Sequence, residues 1–299
     1  MEIDEPSLGL YLPDDFYSAP RRAGQYGLSL GKRIHILSFY IAWDSENAKP
    51  DLAGIQNVMM SGYVPMITWE PWRRPAVSEG MRPGDQPDFS LKAILSGKHD
   101  DYIRQWAHDL KELALPVFFR PMHEMNGNWY PWCGKVNNNK PEHYIKTWLY
   151  IRSIFREAQN DKLIWVWSPY VHSVPEEPEN EMWHYFPGIE EVDWLGLDGY
   201  NWGVNREWSR WQNFREIFDR GYDILMGMAP EKPFMIAEVG CTEEGGNKGK
   251  WIEEAFKDLK DRFVRIRTLV WFNVIKECDW RIESSQESLT SFRKNWSLW

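Results

Sequence analysis

Apolar positions recur along the chain in short runs, each followed by a helical or loop-rich stretch. The runs predict strands at Leu8–Leu12, Ile34–Ala42, Val64–Trp69, Pro116–Pro121, Leu163–Ser168, Trp194–Leu197, Pro233–Glu238 and Thr268–Asn273. Pro-Val-Phe-Phe (116–119) and Leu-Ile-Trp-Val-Trp (163–167) are continuously apolar, which suits parallel strands covered on both faces. Helical spacing appears between them. Asp101–Leu113 places Ile103, Trp106, Ala107 and Leu110 on one face, and Pro141–Ala158 does the same with Tyr144, Ile145, Trp148, Ile151 and Phe155. Arg210–Met226 and Lys250–Phe263 repeat the pattern, and Gln286–Trp296 predicts a last helix. Eight such alternations predict an α/β fold, a (β/α)8 TIM barrel. An open doubly wound sheet fits less well, because it calls for a glycine-rich phosphate loop after its first strand. Here that strand runs into Tyr11-Leu-Pro-Asp-Asp-Phe. With no linker or repeat in 299 residues, one domain over 1–299 is expected. The longest irregular stretch, Arg73–Asp88, follows strand three as a βα loop.

Composition narrows the function. Apolar residues make up 43% and charged residues 26%, an ordinary globular balance. The net charge of −9 argues against nucleic acid as a partner. No apolar run approaches 18 residues, so no membrane span is expected. Cys133, Cys241 and Cys278 lie far apart without a CxxC, so neither a zinc site nor a disulfide framework is indicated, although one bridge, between Cys133 and Cys241, is conceivable. Met1–Pro6 is acidic and has no apolar core, so no signal peptide is expected; the chain is either cytoplasmic or secreted with its leader removed, the latter being favoured for a polysaccharide substrate. The outlying number is 19 tryptophans. A buried indole N–H needs a partner, so tryptophan is costly filler, and several are expected to line a sugar site.

The chemistry gathers where a barrel enzyme keeps it, at the C-terminal ends of strands. The ends read Thr68-Trp-Glu-Pro-Trp, Arg120-Pro-Met-His-Glu-Met-Asn-Gly-Asn-Trp-Tyr-Pro-Trp, Trp165-Val-Trp-Ser-Pro-Tyr, Asp198-Gly-Tyr-Asn-Trp, Ala237-Glu-Val-Gly and Trp271-Phe-Asn. Glu124 and Glu238 each follow an apolar strand directly, and strands four and seven of a barrel face each other. Glycosidic hydrolysis needs such a pair, one carboxylic acid to protonate the leaving oxygen and one carboxylate to attack the anomeric carbon or activate water. In a retaining enzyme the two stand about 5–5.5 Å apart. Each glutamate alone has a structural alternative, pairing with a buried arginine such as Arg120. His123-Glu124 lacks the second histidine of a zincin, so no metal is expected, and His123 is assigned to substrate. Trp69, Trp72, Trp129, Trp132, Trp167, Trp202 and Trp271 stand at strand ends as candidate sugar platforms. Trp106, Trp148 and Trp251 fall at helical spacing and are assigned to the core, Trp296 and Trp299 to terminal packing.

The ten-residue run from Arg120 to Trp129, together with Ile236-Ala-Glu-Val-Gly, resembles glycoside hydrolase family 26 of clan A, and the resemblance spans most of the chain. It implies a retaining mechanism on a (β/α)8 barrel. Glu124 would be the general acid/base and Glu238 the nucleophile. Arg120 and His123 would hold the nucleophile and the sugar in subsite −1, Trp129 would shape the surroundings of the acid/base, Tyr200 would hydrogen-bond the nucleophile, and Trp271 would be the subsite −1 platform. An acid/base needs a raised pKa, which apolar neighbours such as Trp129 supply by desolvation; a nucleophile must stay ionised, which an arginine and a tyrosine hydroxyl favour. The family mostly cleaves β-1,4-mannan, with some members on β-1,3-1,4-glucan and a few on β-1,3-xylan. Tyr130-Pro-Trp-Cys-Gly departs from the commonest mannanase pattern, a difference that bears on the substrate and not on the mechanism. A retaining endo-β-1,4-mannanase is therefore expected, with a mixed-linkage glucanase as the alternative within the family and a non-catalytic carbohydrate-binding barrel as the alternative from another class. No cofactor is expected. The expected partner is a polysaccharide, bound by a monomer with no nucleic acid or membrane involved.

Overall fold

A computed structural model describes residues 5–44, 49–74 and 82–299. The part of the Arg73–Asp88 loop numbered 75–81 lies outside the described residues. The strands are β1 (Ser7–Tyr11), β2 (Ile36–Ala42), β3 (Val64–Glu70), β4 (Val117–Pro121), β5 (Leu163–Trp167), β6 (Trp194–Asn201), β7 (Phe234–Cys241) and β8 (Ile266–Phe272). They close in sequence order as a parallel barrel, β8 returning to β1 with Ser7 opposite Thr268 and Tyr11 opposite Phe272. The α-helices are α1 (Ala19–Leu30), α2 (Leu52–Met60), α3 (Leu91–Leu95), α4 (Asp100–Leu110), α5 (Pro141–Glu157), α6 (Phe214–Met228), α7 (Lys248–Asp261) and α8 (Gln286–Trp296). This is the (β/α)8 barrel that the apolar runs predict. None of the described helices is long and apolar enough to cross a membrane.

By internal contacts the chain forms two compact units, 40–56 with 66–194, and 1–39 with 57–65 and 195–299. In the first, β4 and β5 are buried along their whole length. Trp165 faces α5 through Trp148 and Phe155, and Phe119 meets the same Phe155. That buried α5 face (Tyr144, Trp148, Ile151, Phe155) is the one its spacing predicts. In the second unit, β6, β7 and β8 carry α6 and α7 on one face. Tyr222 of α6 stacks on Phe234, and the Leu197 methyls lie 3.1 Å from where a Cβ on Gly221 of α6 would stand.

The differences from expectation have local causes. Helix α6 starts at Phe214 rather than Arg210 because Asn213 and Glu216 form a reciprocal capping box. Pro116 and Pro233 stay outside their strands, having no N–H for the ladder. Helices α1, α2 and α3 carry weak signals. Buried positions in α1 are only Ala19, Pro20, Ala23 and Leu30, and α3 is five residues long. Both β6 and β7 run on past Leu197 and Glu238, to Asn201 and Cys241. The motif residues there sit within strands, so strand parity decides which way each one points.

Candidate active site

In the first unit, alternation divides the ends of β3 and β4 between two faces. Trp69 points at the helices. It is fully buried against Tyr102 and Trp106 of α4, Phe119 and Phe155. Thr68 and Arg120 are paired across the strands on the opposite face, where the buried guanidinium donates to Thr68 Oγ1 at 3.0 and 2.8 Å and to Tyr40 Oη at 3.3 Å.

Beyond Pro121 the backbone turns sharply. Met122 (φ 51°) and Glu124 (φ 52°) both take the left-handed conformation, which costs a non-glycine residue on the order of 1–3 kcal/mol and persists only where the surroundings enforce it. Here they do. Met122 N–H donates to Trp69 O (3.1 Å) and Glu124 N–H to Ser168 O (2.8 Å); Tyr144 Oη donates to Met122 O (3.2 Å) and Trp132 Nε1 to His123 O (2.7 Å). The product is a buried Glu124 whose Oε2 accepts the Trp129 indole N–H at 2.7 Å. Gly127 makes this possible, since a Cβ there would lie 2.5 Å from the Trp129 ring. His123, also buried, sits beside Tyr130 (4.9 Å) and Tyr40 (5.9 Å). Asn126 exchanges hydrogen bonds with Tyr170, donating to its carbonyl and accepting from its N–H, both at 2.9 Å, and so ties this turn to the segment after β5.

In the second unit, Phe234 and Ile236 of β7 face the helices, and plain alternation would send Glu238 the same way. The register shifts instead. Leu197 pairs with Ile236 but Asp198 pairs with Glu238, so Ala237 is an extra residue and Glu238 joins Asp198 and Tyr200 on the other face. Tyr200 Oη then donates to Glu238 Oε2 at 2.5 Å. Trp280, on the segment after β8, packs 5.0 Å from the Tyr200 ring, and a Cβ on Gly240 would meet both rings at about 3 Å.

Trp271 is not the platform. It follows Leu269 on the helix side of β8, almost fully buried against Trp251 of α7 and Phe292 of α8. A ring with 1% exposure in that layer has no face to offer a sugar. Its indole N–H donates to Trp280 O at 2.7 Å, and Lys248 Nζ donates to the flanking carbonyls Arg281 O (2.7 Å) and Asp279 O (3.4 Å). Trp271 therefore anchors the backbone of Trp280, and Trp280 is the residue beside Tyr200. Trp69 is corrected on the same ground, and Trp167 is likewise fully buried. Trp72 and Trp202 keep exposed surface. Trp72 lies edge-on to Tyr130 and Trp132, with its N–H on Glu70 Oε2 at 3.3 Å; Trp202 lies edge-on to Trp280. Trp106, Trp148, Trp251 and Trp296 are buried as assigned. All three cysteines are buried and unbridged, and burial pushes the Cys133 thiol up to about 12.

Tyr40, Tyr130, Tyr170 and Trp280 join the expected residues. Trp280 lies eight residues past β8 in an irregular segment with no periodicity to mark it. The acidic groups on these faces, Glu124, Asp198 and Glu238, are hard oxygen donors. Two of them already accept hydrogen bonds from Trp129 and Tyr200, as carboxylates positioned for proton transfer or attack would.

Comparison with known proteins places this arrangement. The sequence profile of glycosyl hydrolase family 26 matches residues 65–242, which include both glutamates. The chain belongs to this family. It is 35% identical over 271 residues to endoglucanase H of Acetivibrio thermocellus, covering 88% of this chain and 27% of that protein. It is 30% identical over 163 residues to a mannan endo-1,4-beta-mannosidase of Bacillus subtilis, covering 52% of this chain and 38% of that one. The family 26 chain thus spans about a quarter to two-fifths of the length of these relatives. Among solved structures, a modular endo-beta-1,4-mannanase from Cellulomonas fimi superposes with a TM-score of 0.71 at 17% identity, covering 98% of this chain and 71% of the other, and so shares the fold.

Proposed function

We propose that this family 26 chain is a retaining endo-β-glycanase that cleaves β-1,4-mannan by double displacement. One observation carries the reading: two buried glutamates stand on parallel barrel strands, Glu238 within β7 and Glu124 in the turn after β4, and each carboxylate accepts a hydrogen bond from an aromatic side chain. Glu238 attacks the anomeric carbon and forms a glycosyl-enzyme, while Glu124 protonates the departing oxygen. Glu124 then takes a proton from water, and that water releases the sugar with the starting configuration. Tyr200 holds Oε2 of Glu238 and Trp129 holds Oε2 of Glu124, so that each carboxylate is fixed in place. Arg120 and His123 border subsite −1, and the buried Trp280 supports Tyr200 from behind. Trp72 and Trp202 contact the chain further out. Both compact units belong to one catalytic domain, which acts as a monomer on a neutral polysaccharide and needs neither steering charge nor cofactor.

A second reading, a β-1,3-1,4-glucanase, draws on the match to endoglucanase H, which runs over 88% of the chain where the Bacillus subtilis mannosidase covers 52%. A digest panel of mannan, galactomannan, barley β-glucan and β-1,3-xylan separates the two by product sizes. Glu238→Ala abolishes hydrolysis while binding survives, and proton NMR shows the first-formed reducing end with retained configuration. Unchanged turnover in Glu238→Ala, or an inverted first product, overturns the mechanism.

A further inference from the structure

The segment after β6 presents an aromatic surface that the catalytic chemistry leaves unused. Trp208 is 69% exposed, the most exposed tryptophan in the chain. Scattered surface tryptophans are ordinary. Two features set this one apart.

The first is its support. Gly203 (φ 56°) must be glycine, since the Glu244 carbonyl would stand 1.8 Å from a Cβ there, and its N–H donates to Asn201 Oδ1 (3.1 Å). Asn205 Nδ2 donates to Trp202 O and Thr242 Oγ1, both at 3.0 Å, and Ser209 Oγ donates to Gly203 O at 2.8 Å. Gln212 N–H returns to Asn201 Oδ1 (3.2 Å). The loop is bonded to itself on both sides of Trp208, so holding the ring ready for a ligand costs little further ordering.

The second is continuity. From Tyr200, the donor to Glu238, rings follow one another outward: Trp280 at 5.0 Å, Trp202 at 5.0 Å from Trp280, Trp208 at 5.3 Å from Trp202. Successive pairs meet edge to face or tilted; Trp280 is buried within the line, Trp202 keeps part of its surface, and Trp208 is largely exposed. The Arg206 guanidinium packs 5.5 Å over the Trp202 ring and braces it. Three steps of about 5 Å place Trp208 beyond the sugar whose anomeric carbon meets Glu238.

We propose that Trp208, backed by Trp202 and Arg206, is a remote subsite that stacks on a sugar residue of the bound glycan several units from the scissile bond. This rests on the glycanase reading, and it makes the enzyme's affinity depend on substrate length. A neutral glycan is the occupant because the platform is continuous with the aromatic line that begins at the nucleophile.

The test uses the full chain carrying Trp208→Ala, Trp208→Phe, or Trp183→Ala as a control. Trp183 is also exposed, but it packs beside His184 outside this line. Kinetics are measured on mannan, on barley β-glucan, on manno- and gluco-oligosaccharides of three to six units, and on a short aryl glycoside. For Trp208→Ala, KM rises about three- to tenfold on the polymers and longest oligosaccharides. Its kcat is unchanged throughout, and the shortest substrates show no effect. Trp208→Phe restores most of the loss, and Trp183→Ala behaves as wild type. In the Glu238→Ala background, the six-unit oligosaccharide binds more weakly by the same factor when Trp208 is removed. If wild type cleaves these glycans and Trp208→Ala leaves KM unchanged at every length, or impairs all lengths equally, the remote subsite is wrong and the glycanase reading stands. If wild type cleaves none of them, both fall.

Discussion

Replacing Gly127 with alanine adds one methyl group to a turn whose backbone accepts it, and its effect follows from distances alone. The new Cβ would lie 2.5 Å from Trp129 Cζ2 and 2.6 Å from Cε2 and Cη2, whereas ordinary contact begins near 3.4 Å. The indole must retreat by about 1 Å. A retreat of that size stretches the 2.7 Å bond from Trp129 Nε1 to Glu124 Oε2 beyond hydrogen-bonding range. A hydrogen bond to a charged group is worth about 1.5–3 kcal/mol, and a misplacement of about 1 Å costs on the order of a hundredfold in rate. Turnover of the preferred polysaccharide should therefore fall about 10- to 100-fold in Gly127→Ala. Trp129 is half-buried and can move outward, so the melting temperature should change by only a few degrees. The double variant Gly127→Ala/Trp129→Ala separates this cause from others. With no indole to displace, the added methyl should cost nothing, and the pair should match Trp129→Ala alone. Turnover within twofold of wild type in Gly127→Ala, or additive losses in the double variant, would refute the reasoning.

Tyr200→Phe removes the donor at 2.5 Å from Glu238 and should lower kcat about 10- to 100-fold with little change in melting temperature; an unchanged kcat would deny the contact a part in catalysis. Trp69→Ala should destabilise the fold by about 3–5 kcal/mol, read in a urea titration, while KM stays level, because its ring fills the layer beneath α4 and α5. A raised KM at wild-type stability would return Trp69 to the substrate. Ellman's reagent at pH 8 should find no reactive thiol in the native protein and three after denaturation. All three cysteines are buried, and desolvation raises each thiol, Cys133 to about 12, so the reactive thiolate is scarce far above the assay pH. Rapid native labelling would contradict that burial.

The strands were legible because seven of the eight are nearly all apolar, a pattern that parallel strands covered on both faces require. Helices α4, α5, α7 and α8 were legible because each buries one stripe. Helix α1 was not, since it buries two alanines, a proline and a leucine and carries two glycines. Glu124 and Glu238 were legible through the motifs around them, and Tyr200 through its place after Asp198-Gly. What strand-end position did not reveal was direction. Trp69, Trp167 and Trp271 stand at strand ends as surely as Thr68 and Arg120 do, yet they point into the helix layer. Trp280 was missed because a loop residue 42 positions from Glu238 reaches Tyr200 only through the fold.

Direction in this barrel comes down to parity, and β7 breaks its own. Phe234 and Ile236 face α6, and Glu238 in strict alternation would follow them into an apolar layer where a carboxylate is costly to bury. The extra residue at Ala237 resolves the conflict by moving every later side chain of β7 to the opposite face, so Glu238 meets Tyr200 and Gly240 comes to lie beneath Tyr200 and Trp280. Strand β8 carries its own extra residue earlier, Arg267, where Phe234 and Met235 face Ile266 and Thr268, but none between Leu269 and Trp271. Beyond that point it matches Ile236 with Leu269 and Val239 with Trp271, a step of three residues in β7 against two in β8, so this second irregularity belongs to β7 and Trp271 stays on the side of Leu269. The β8 ring on the side of Tyr200 is then Phe272, perpendicular to Tyr200 at 5.7 Å and stacked on Tyr11 at 4.6 Å. A tryptophan beside Tyr200 therefore has to come from the segment beyond β8, and Trp271, unable to serve as the platform, serves as the donor that fixes Trp280 in place.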